Sequence, residues 1–326
     1  RSEYKVSIIN LFRTEQFYKL EDNITVFWPE TERSRHHRLI YALLIFPYLR
    51  RTIKSINPKV IVSYGEWFNP FVILSTRFLK VPLFIFERMG PELKLDPLVD
   101  IARKMLYRLA TGIVVQTNTA GRIVAEKTGS KNIKVIPNPV NIINVKISNK
   151  KKQIVTLGRL SREKGHIVLL KAFSRLGQSD WSLHLIGDGP EKENLEGEAI
   201  SLGISERVFF HGQLKDFTQI LGESEIFVLP SFYEGFPNAL IEAMTVPLAC
   251  ISSDCVAGPA DIIQNGVNGF LVQTGNAEEL TLTMNRLIEN SVLRQKLASE
   301  AFKIRDTLAF DKIAKQYLDF IFQCNE

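Results

Sequence analysis

The sequence predicts an α/β protein with two domains, each built on a parallel sheet. The chain has 326 residues, enough for two domains of ordinary size. Short apolar runs alternate with longer segments of helical spacing, an order that gives parallel sheets. A polar stretch at residues 141–152, ending in three lysines, separates two such series. We therefore expect a first domain over 1–145, a second over 146–306 and a terminal helix over 307–326.

Each series contains six predicted strands. The strands of the first domain are expected at 5–11, 24–27, 60–64, 83–87, 112–116 and 133–136. Those of the second domain are expected at 153–157, 181–187, 207–210, 225–229, 246–251 and 269–272. Ligand crevices in such folds lie between the domains and at the carboxyl ends of the strands.

Two carboxylates follow the predicted strand at 225–229. Glu234 lies in the loop, Pro237 suits the first turn of the next helix, and Glu242 lies about a turn and a half into it. Between the two acids, the helix start offers free N–H groups and a positive dipole end, which suit a phosphate. The alternative interpretation is plain α/β scaffold.

A basic loop follows the predicted strand at 153–157. Gly158 is followed by Arg159, Arg162 and Lys164 before an apolar helix. Arginine can grip a phosphate with two donors, and lysine supplies a compact charge. Taken alone, the loop could also be a solvated charge cluster.

The two segments together, G-R-x-x-x-x-K-G at 158–165 and E-x7-E at 234–242, resemble the retaining glycosyltransferases of family 4, which have the GT-B fold of two Rossmann-like domains facing a central cleft. Further stretches are similar to the same family: 136–140, 185–191, 208–213, 258–263 and 265–272. The similarity is continuous from about residue 110 to residue 275 and patchy before that.

The resemblance implies a role for each matching residue. Arg159 and Lys164 would hold the donor diphosphate, Glu234 would contact the transferred sugar, and Glu242 the ribose. The base would lie near Gly187 and the loop of Leu214 and Lys215. The full set implied to bind the donor is Gly158, Arg159, Lys164, Gly187, Leu214, Lys215, Phe236, Pro237, Asn238, Ala239 and Glu242.

The resemblance also implies retention of anomeric configuration, with the leaving phosphate taking the acceptor's proton. The sequence contains no Asp-x-Asp pair that would hold a divalent cation. Because Arg159, Lys164 and the helix start near Asn238 can stabilise the departing charge, we predict a reaction independent of metal, with no cofactor.

The acceptor side is less defined. Glu87 and Arg88 follow a strand and resemble a segment of relatives that act on lipid-linked sugars. Glu87 is either an acceptor-side base or a structural ion pair with Arg88, and Trp67 and Phe68 either stack on a sugar or are buried. Relatives open with a strand and a glycine-rich loop. Because this sequence starts at Arg1, we expect that first unit of about 30 residues to be missing.

Composition restricts the cellular setting. Three cysteines, Cys250, Cys255 and Cys324, without metal-ligand spacing fit a reducing cytosol. Neither a signal peptide nor a span of transmembrane length is present. A net charge of +6 favours an acidic partner, and no nucleic-acid motif occurs.

An apolar segment at 39–49 is too short to cross a membrane and has basic flanks: Arg33, Arg35, Arg38, Arg50, Arg51 and Lys54. It either lies on an anionic membrane or faces the core with solvated ends.

We therefore expect a metal-independent retaining glycosyltransferase, cytoplasmic and peripheral at the inner membrane face. It would move a hexose or N-acetylhexosamine from a nucleotide sugar, expected to be UDP-linked, to a cell-surface or lipid-linked glycan. Two alternatives stay open, an inactive nucleotide-sugar binding protein and a GT-B sugar-nucleotide epimerase.

Overall fold

The computed structural model describes residues 4–323 except 14, 16–19, 36, 91–94, 146–148, 178, 179 and 257. Within them all twelve predicted strands are present, with ends that differ by a few residues. They are β1 Ser7–Ile9, β2 Thr25–Phe27, β3 Ile61–Tyr64, β4 Leu83–Phe86, β5 Gly112–Val115, β6 Ile133–Val135, β7 Gln153–Leu157, β8 Ser182–Ile186, β9 Val208–Phe210, β10 Ile226–Leu229, β11 Ala249–Ser253 and β12 Phe270–Val272.

Helices occupy most of the intervening segments. They are α1 Arg38–Ile56, α2 Asn69–Thr76, α3 Pro97–Leu106, α4 Asn118–Thr128, α5 His166–Ser174, α6 Lys192–Ser201, α7 Thr218–Glu223, α8 Asn238–Met244, α9 Pro259–Ile262, α10 Ala277–Glu289, α11 Ser291–Phe302, α12 Ile304–Thr307 and α13 Phe310–Gln323. Short 3₁₀ turns at 33–35, 107–109, 162–164 and 205–207 complete the set among the described residues.

The second half of the chain forms one six-stranded parallel sheet in the order β12-β11-β10-β7-β8-β9. From β7 the chain builds outward through β8 and β9, then returns to the other side of β7 with β10. The strand order therefore reverses between β7 and β10, where Ile154 pairs with Ile226. In open α/β sheets a ligand binds at such a reversal, outside the carboxyl ends of the two strands.

The first half differs from the single sheet that we expected. Strands β3-β4-β5-β6 form a four-stranded parallel sheet, and β1 and β2 pair with each other as a separate ribbon. Each strand of the ribbon is three residues long.

One hydrophobic core is continuous across both halves. It joins Phe84 and Phe86 of β4 to Phe227 of β10 and to residues of α13. The ring of Phe320 lies 5.4 Å from that of Phe84, and the ring of Tyr317 lies 5.3 Å from that of Phe86. The terminal helix therefore packs on the central strands of the first sheet.

The described cysteines, Cys250 on β11 and Cys255, are buried free thiols. Burial raises the pKa of both the Cys250 and the Cys255 thiol, the latter to about 11, so neither ionises readily. Cys324 lies outside the described residues. His184 is buried on β8, where its ring stacks on Phe209.

Candidate active site

The two sequence motifs follow the two strands at the reversal of strand order. Residues 158–164 follow β7, and residues 230–234 follow its neighbour β10. The motifs are also joined by a backbone hydrogen bond of 2.8 Å from Phe232 N to Glu163 O. Segments 70 residues apart in sequence thus form one crevice at the expected ligand position.

Glycines allow the loops above β7 and β8 to touch. Gly187 has φ +140°, and a Cβ there would lie 1.9 Å from Gly158 O. Gly165 has φ +65°, and a Cβ on Gly165 would lie 2.1 Å from the carbonyl oxygen of Pro230, which follows β10. Neither position accepts a side chain without moving backbone, which explains the glycines of the motif.

Lys164 and Glu234 form an ion pair across the crevice. Lys164 Nζ lies 2.7 Å from Glu234 Oε1, and the Ser231 hydroxyl donates to the same oxygen over 2.7 Å. Glu234 is buried and Lys164 is about a quarter exposed. An ammonium group has three donors, so Lys164 retains others for an anion.

The helix after Glu234 begins one residue later than predicted. Pro237 caps α8 rather than lying in its first turn, and its carbonyl accepts the Ile241 N–H over 3.1 Å. The Asn238 N–H, which we had assigned to the phosphate site, donates to Phe236 O over 2.9 Å instead. Since early N–H groups of a helix lack intrahelical acceptors, Ala239 offers the first available donor.

Phe236 contributes only backbone to the crevice, because its ring is buried in the core shared by both halves. Glu242 lies one turn into α8 and is half-buried. Burial raises its pKa, which the amide of Asn141, 3.5 Å from Oε1, partly offsets. The carboxylate is therefore desolvated and gains from any ligand hydroxyl that donates to it.

The assigned base loop is connected to the same edge. Gly187 N donates to Gly212 O over 2.9 Å, which sets the position of the loop after β9. Leu214 packs on the shared core, and Lys215 is exposed. Arg159 is also exposed, and no carboxylate among the described residues pairs with it.

The loop after β4 touches the Glu234 loop directly. A Cβ on Gly235 would lie 2.9 Å from Arg88 O and 3.0 Å from Gly90 N. Glu66 fixes this loop, since its Oε1 accepts the N–H groups of Arg88 and Met89, the latter over 2.6 Å. Only the absence of a side chain at position 235 permits this approach between the halves.

Two further contacts surround the crevice. Gly258, with φ +136°, lies against Pro237, where a Cβ would be 2.9 Å from the ring Cδ. Asp261 accepts from Asn118 of the first half, over 3.1 Å from the backbone N–H and 2.6 Å from the side-chain amide. The segment at 258–261 therefore contacts both sides of the crevice.

Glu87 has a different partner from the one we expected. It forms an ion pair with Arg103 of α3 at 2.6 Å and accepts a hydrogen bond from the Tyr107 hydroxyl. Arg88 donates to Asn138 and is not its partner. The Glu87 side chain is 5% exposed, and burial raises its pKa to about 7 against the opposing effect of Arg103. The ion pair is structural in form. The spacing of 16 residues between its members gives no sequence signal.

Three residues that contribute to the crevice were not predicted from the sequence: Ser231, Gly235 and Glu66. Ser231 stands three residues before Glu234, a Ser-x-x-Glu spacing that often signals a reciprocal hydrogen bond. Gly235 and Glu66 act through contacts between distant segments, which no local pattern reveals. Phe68, considered as a sugar platform, packs on Phe12 with ring centroids 5.7 Å apart, and Trp67 is partly buried.

Over the described part of the chain, no group of three or more His, Cys, Asp or Glu side chains is placed to hold a metal ion. The groups that converge on the crevice are cationic side chains, carboxylates and the backbone at the start of α8. Such a set suits a polyanion that carries hydroxyl groups.

Comparison with known proteins agrees with this chemistry. The family model described as "Glycosyl transferases group 1" matches residues 140–304. The chain belongs to the group 1 glycosyltransferases. The matched region contains both motifs of the crevice, and a glycosyltransferase of this class uses a nucleotide sugar and a glycan acceptor.

One relative spans nearly the whole chain. An α-1,4-N-acetyl-D-galactosaminyltransferase of Campylobacter jejuni, named for an undecaprenol-diphosphate-linked glycan acceptor, is 26% identical over 98% of this chain and 90% of its own length. Similarity to a named glycosyltransferase thus extends over the first half, where the motifs were patchy.

Solved structures establish the fold. Anabaena HepE in complex with UDP covers 91% of this chain and 85% of its own at TM-score 0.78 and 19% identity. The lipopolysaccharide outer core galactosyltransferase WaaB covers 92% and 84% at TM-score 0.77 and 22% identity. This group 1 glycosyltransferase therefore has the GT-B fold.

Proposed function

We propose that this enzyme transfers a hexose or N-acetylhexosamine, with retention, from a UDP-sugar to a lipid-linked or cell-surface glycan without a metal ion. The observation that carries the proposal is the convergence of Lys164, Glu234 and α8 at the reversal of strand order. The UDP complex of a structural neighbour and the acceptor of the Campylobacter relative support the choice of substrates.

The chain's own residues supply the chemistry of such a transfer. Arg159 and the remaining donors of Lys164 stabilise the diphosphate as the bond from its oxygen to the sugar C1 breaks. The acceptor oxygen forms its bond to C1 on the same face, and its proton passes to the leaving phosphate oxygen. Glu234 Oε2, to which no described side chain donates, takes a sugar hydroxyl.

The test is transfer from UDP-, GDP- and ADP-sugars to short undecaprenyl-diphosphate-linked glycans, with and without EDTA. We expect a UDP-sugar to be used in both conditions and K164A to abolish transfer. Lys171, which pairs with Glu198 on an exposed surface of the same half, is the matched control, and K171A should retain activity. Activity that depends on an added divalent cation would contradict the metal-free mechanism.

The same experiment separates the alternatives. An inactive binding protein would bind the donor without releasing nucleotide on any acceptor. An epimerase would release free nucleotide, or an altered sugar nucleotide, without an acceptor. Retention is read from the anomeric coupling constant of the product, and an inverted product would refute this part of the proposal.

For localisation we propose a peripheral position at the cytoplasmic face of an anionic membrane. Among the described residues no helix is long and apolar enough to span a bilayer. Helices α1, α2 and α3, with the turn after α2, nevertheless expose apolar side chains: Leu39, Ile40, Leu43, Leu74, Phe78, Leu98, Ile101 and Met105. A surface of this extent commonly marks an interaction site.

The charge around this surface favours anionic lipid. Residues 38–110 contain twelve Lys and Arg against five Asp and Glu, and Glu66 and Glu87 among the latter are buried. Tyr41, Ile45 and Leu49 of helix α1 face the core, while Leu43 on the other face is 75% exposed and available to a membrane surface. The Arg35 and Arg38 side chains lie outside the described residues.

Vesicle binding tests the localisation. The wild type should co-sediment with phosphatidylglycerol-containing vesicles but not with phosphatidylcholine alone, and less at high salt. L43E and I101E should weaken binding. Val292 of the second half is also 75% exposed, so V292E is the matched control and should bind as the wild type does. Equal binding by all variants would contradict this surface.

A further inference from the structure

Arg88 lies where four segments of the chain meet. It follows β4, and its Nη1 donates to Asn138 Oδ1 in the segment that joins the two halves. Its Nη2 lies 3.4 Å from the Tyr317 hydroxyl of α13, and the guanidinium stands 5.4 Å above the Tyr64 ring. Both the charge and the planar face of this arginine are therefore used.

Asn138 continues the contact into the second half. Its Nδ2 donates to Asn238 Oδ1 over 3.0 Å. Asn238 is the first residue of α8 and is exposed at the end of the crevice assigned to the diphosphate. Because an asparagine amide carries an acceptor and donors on opposite sides, a bond that fixes Oδ1 also fixes the direction of the NH₂ group.

We propose that Arg88 is a positioning residue for the sugar donor. Together with the Gln116 amide, which lies 2.5 Å from the same Asn138 Oδ1, it holds the Asn138 amide so that Asn138 orients Asn238, whose NH₂ group then donates to the nucleotide diphosphate. The inference rests on the proposed function and adds to it a residue of the acceptor half that controls donor affinity. Arg88 itself does not touch the donor in this scheme.

A purely structural role for Arg88 would have a different consequence, and substitution of Arg305 is the control for it. Arg305 is also half-buried and also joins the connecting segment to α8, donating to Ile143 O and Thr245 O over 2.9 Å each. It bonds to the far end of α8 and not to Asn238. A general loosening of the connection would affect R88A and R305A alike.

The test is isothermal titration of UDP and of uridine, which lacks phosphate, into purified variants. R88A, N138A and N238A should each weaken UDP binding about tenfold, the equivalent of about 1.4 kcal/mol for one hydrogen bond to a charged group. Their affinity for uridine should not change. R88A/N238A should be no weaker than N238A, because the two residues act in series. R88K, which keeps a donor for Asn138, should recover part of the loss, and R305A should match the wild type.

Wild-type affinity for UDP in R88A, or additive losses in R88A/N238A, would overturn the inference while leaving the donor site intact. Equal loss in R305A would also overturn it, in favour of a structural tie. K164A is included because it should lose UDP binding under the proposed function alone. Failure of the wild type to bind UDP would refute both proposals together.

Discussion

Lys164 Nζ lies 2.7 Å from Glu234 Oε1, so the cation of one motif neutralises the carboxylate of the other. The two residues were assigned separately to phosphate and sugar. Under the proposed function, their pairing places both at the junction between the two groups, where the bond that breaks in glycosyl transfer lies. The pair also explains how a carboxylate is kept buried beside an anionic substrate, since an unpaired buried charge is costly.

E234Q separates the sugar contact from the phosphate contact. Glutamine retains an acceptor for Ser231 but loses the charge, so transfer should fall about ten- to a hundredfold, as expected for one charge-assisted hydrogen bond. UDP has no sugar, and its affinity should stay the same or rise as Lys164 is released. Steady-state kinetics and UDP titration measure the two effects, and E198Q, whose carboxylate pairs with Lys171, is the control. Equal losses of transfer rate and of UDP affinity would place Glu234 at the phosphate instead.

Glu242 should recognise the ribose. The wild type is expected to prefer UDP over 2′,3′-dideoxy-UDP about tenfold or more, because a desolvated carboxylate gains from two hydroxyl donors. E242Q should bind UDP more weakly and lose most of this preference. Competition binding with the two nucleotides provides the measurement. A variant that keeps the full discrimination would show that the ribose lies elsewhere.

Gly235 should be necessary for contact between the halves. In G235A the new methyl group would meet Arg88 O and Gly90 N at 3.0 Å or less, so backbone must move. Transfer and thermal stability should both fall. Gly197 in α6 has no atom near its Cβ position, so G197A should instead raise stability by about 0.5–1 kcal/mol. Calorimetry of both variants tests the pair, and an unaffected G235A would argue against this close approach.

Glu87 should make stability depend on pH. Burial raises its pKa to about 7 from an ordinary 4.5, so the folded state binds this proton more tightly than the unfolded chain does. The resulting stabilisation is complete below pH 4.5 and is lost as the pH rises through 7. E87Q has no such proton, so its melting temperature should fall less than that of the wild type over this range.

Melting curves of both proteins across this pH range give the comparison. Parallel curves would show that Glu87 titrates as an exposed carboxyl does. E87Q also tests the acceptor-side base. A loss of about a hundredfold or more in kcat with normal folding would support that role over the structural pair.

The strands and the two motifs could be predicted because their signals are local. Apolar runs located every strand of the described residues, and Pro237 located the start of α8 to within one residue. Contacts between distant segments left no such signal. The Glu87–Arg103 pair depends on how α3 packs on the first sheet, and the closeness of Gly235 to Arg88 and the link from Asn138 to Asn238 depend on how the two halves pack together. The exposed apolar face of α3 was also not predicted, because its apolar spacing fits a buried helix equally well.

The most direct test of the account is thermal stability in the presence of UDP, GDP and ADP, each with and without EDTA. A ligand that binds only the folded state adds about 2.7 kcal/mol at a hundredfold excess over Kd. We predict a selective rise in melting temperature with UDP, unaffected by EDTA and absent in K164A. No shift with any nucleotide, or a shift that EDTA removes, would contradict the metal-free donor site at the junction of β7 and β10.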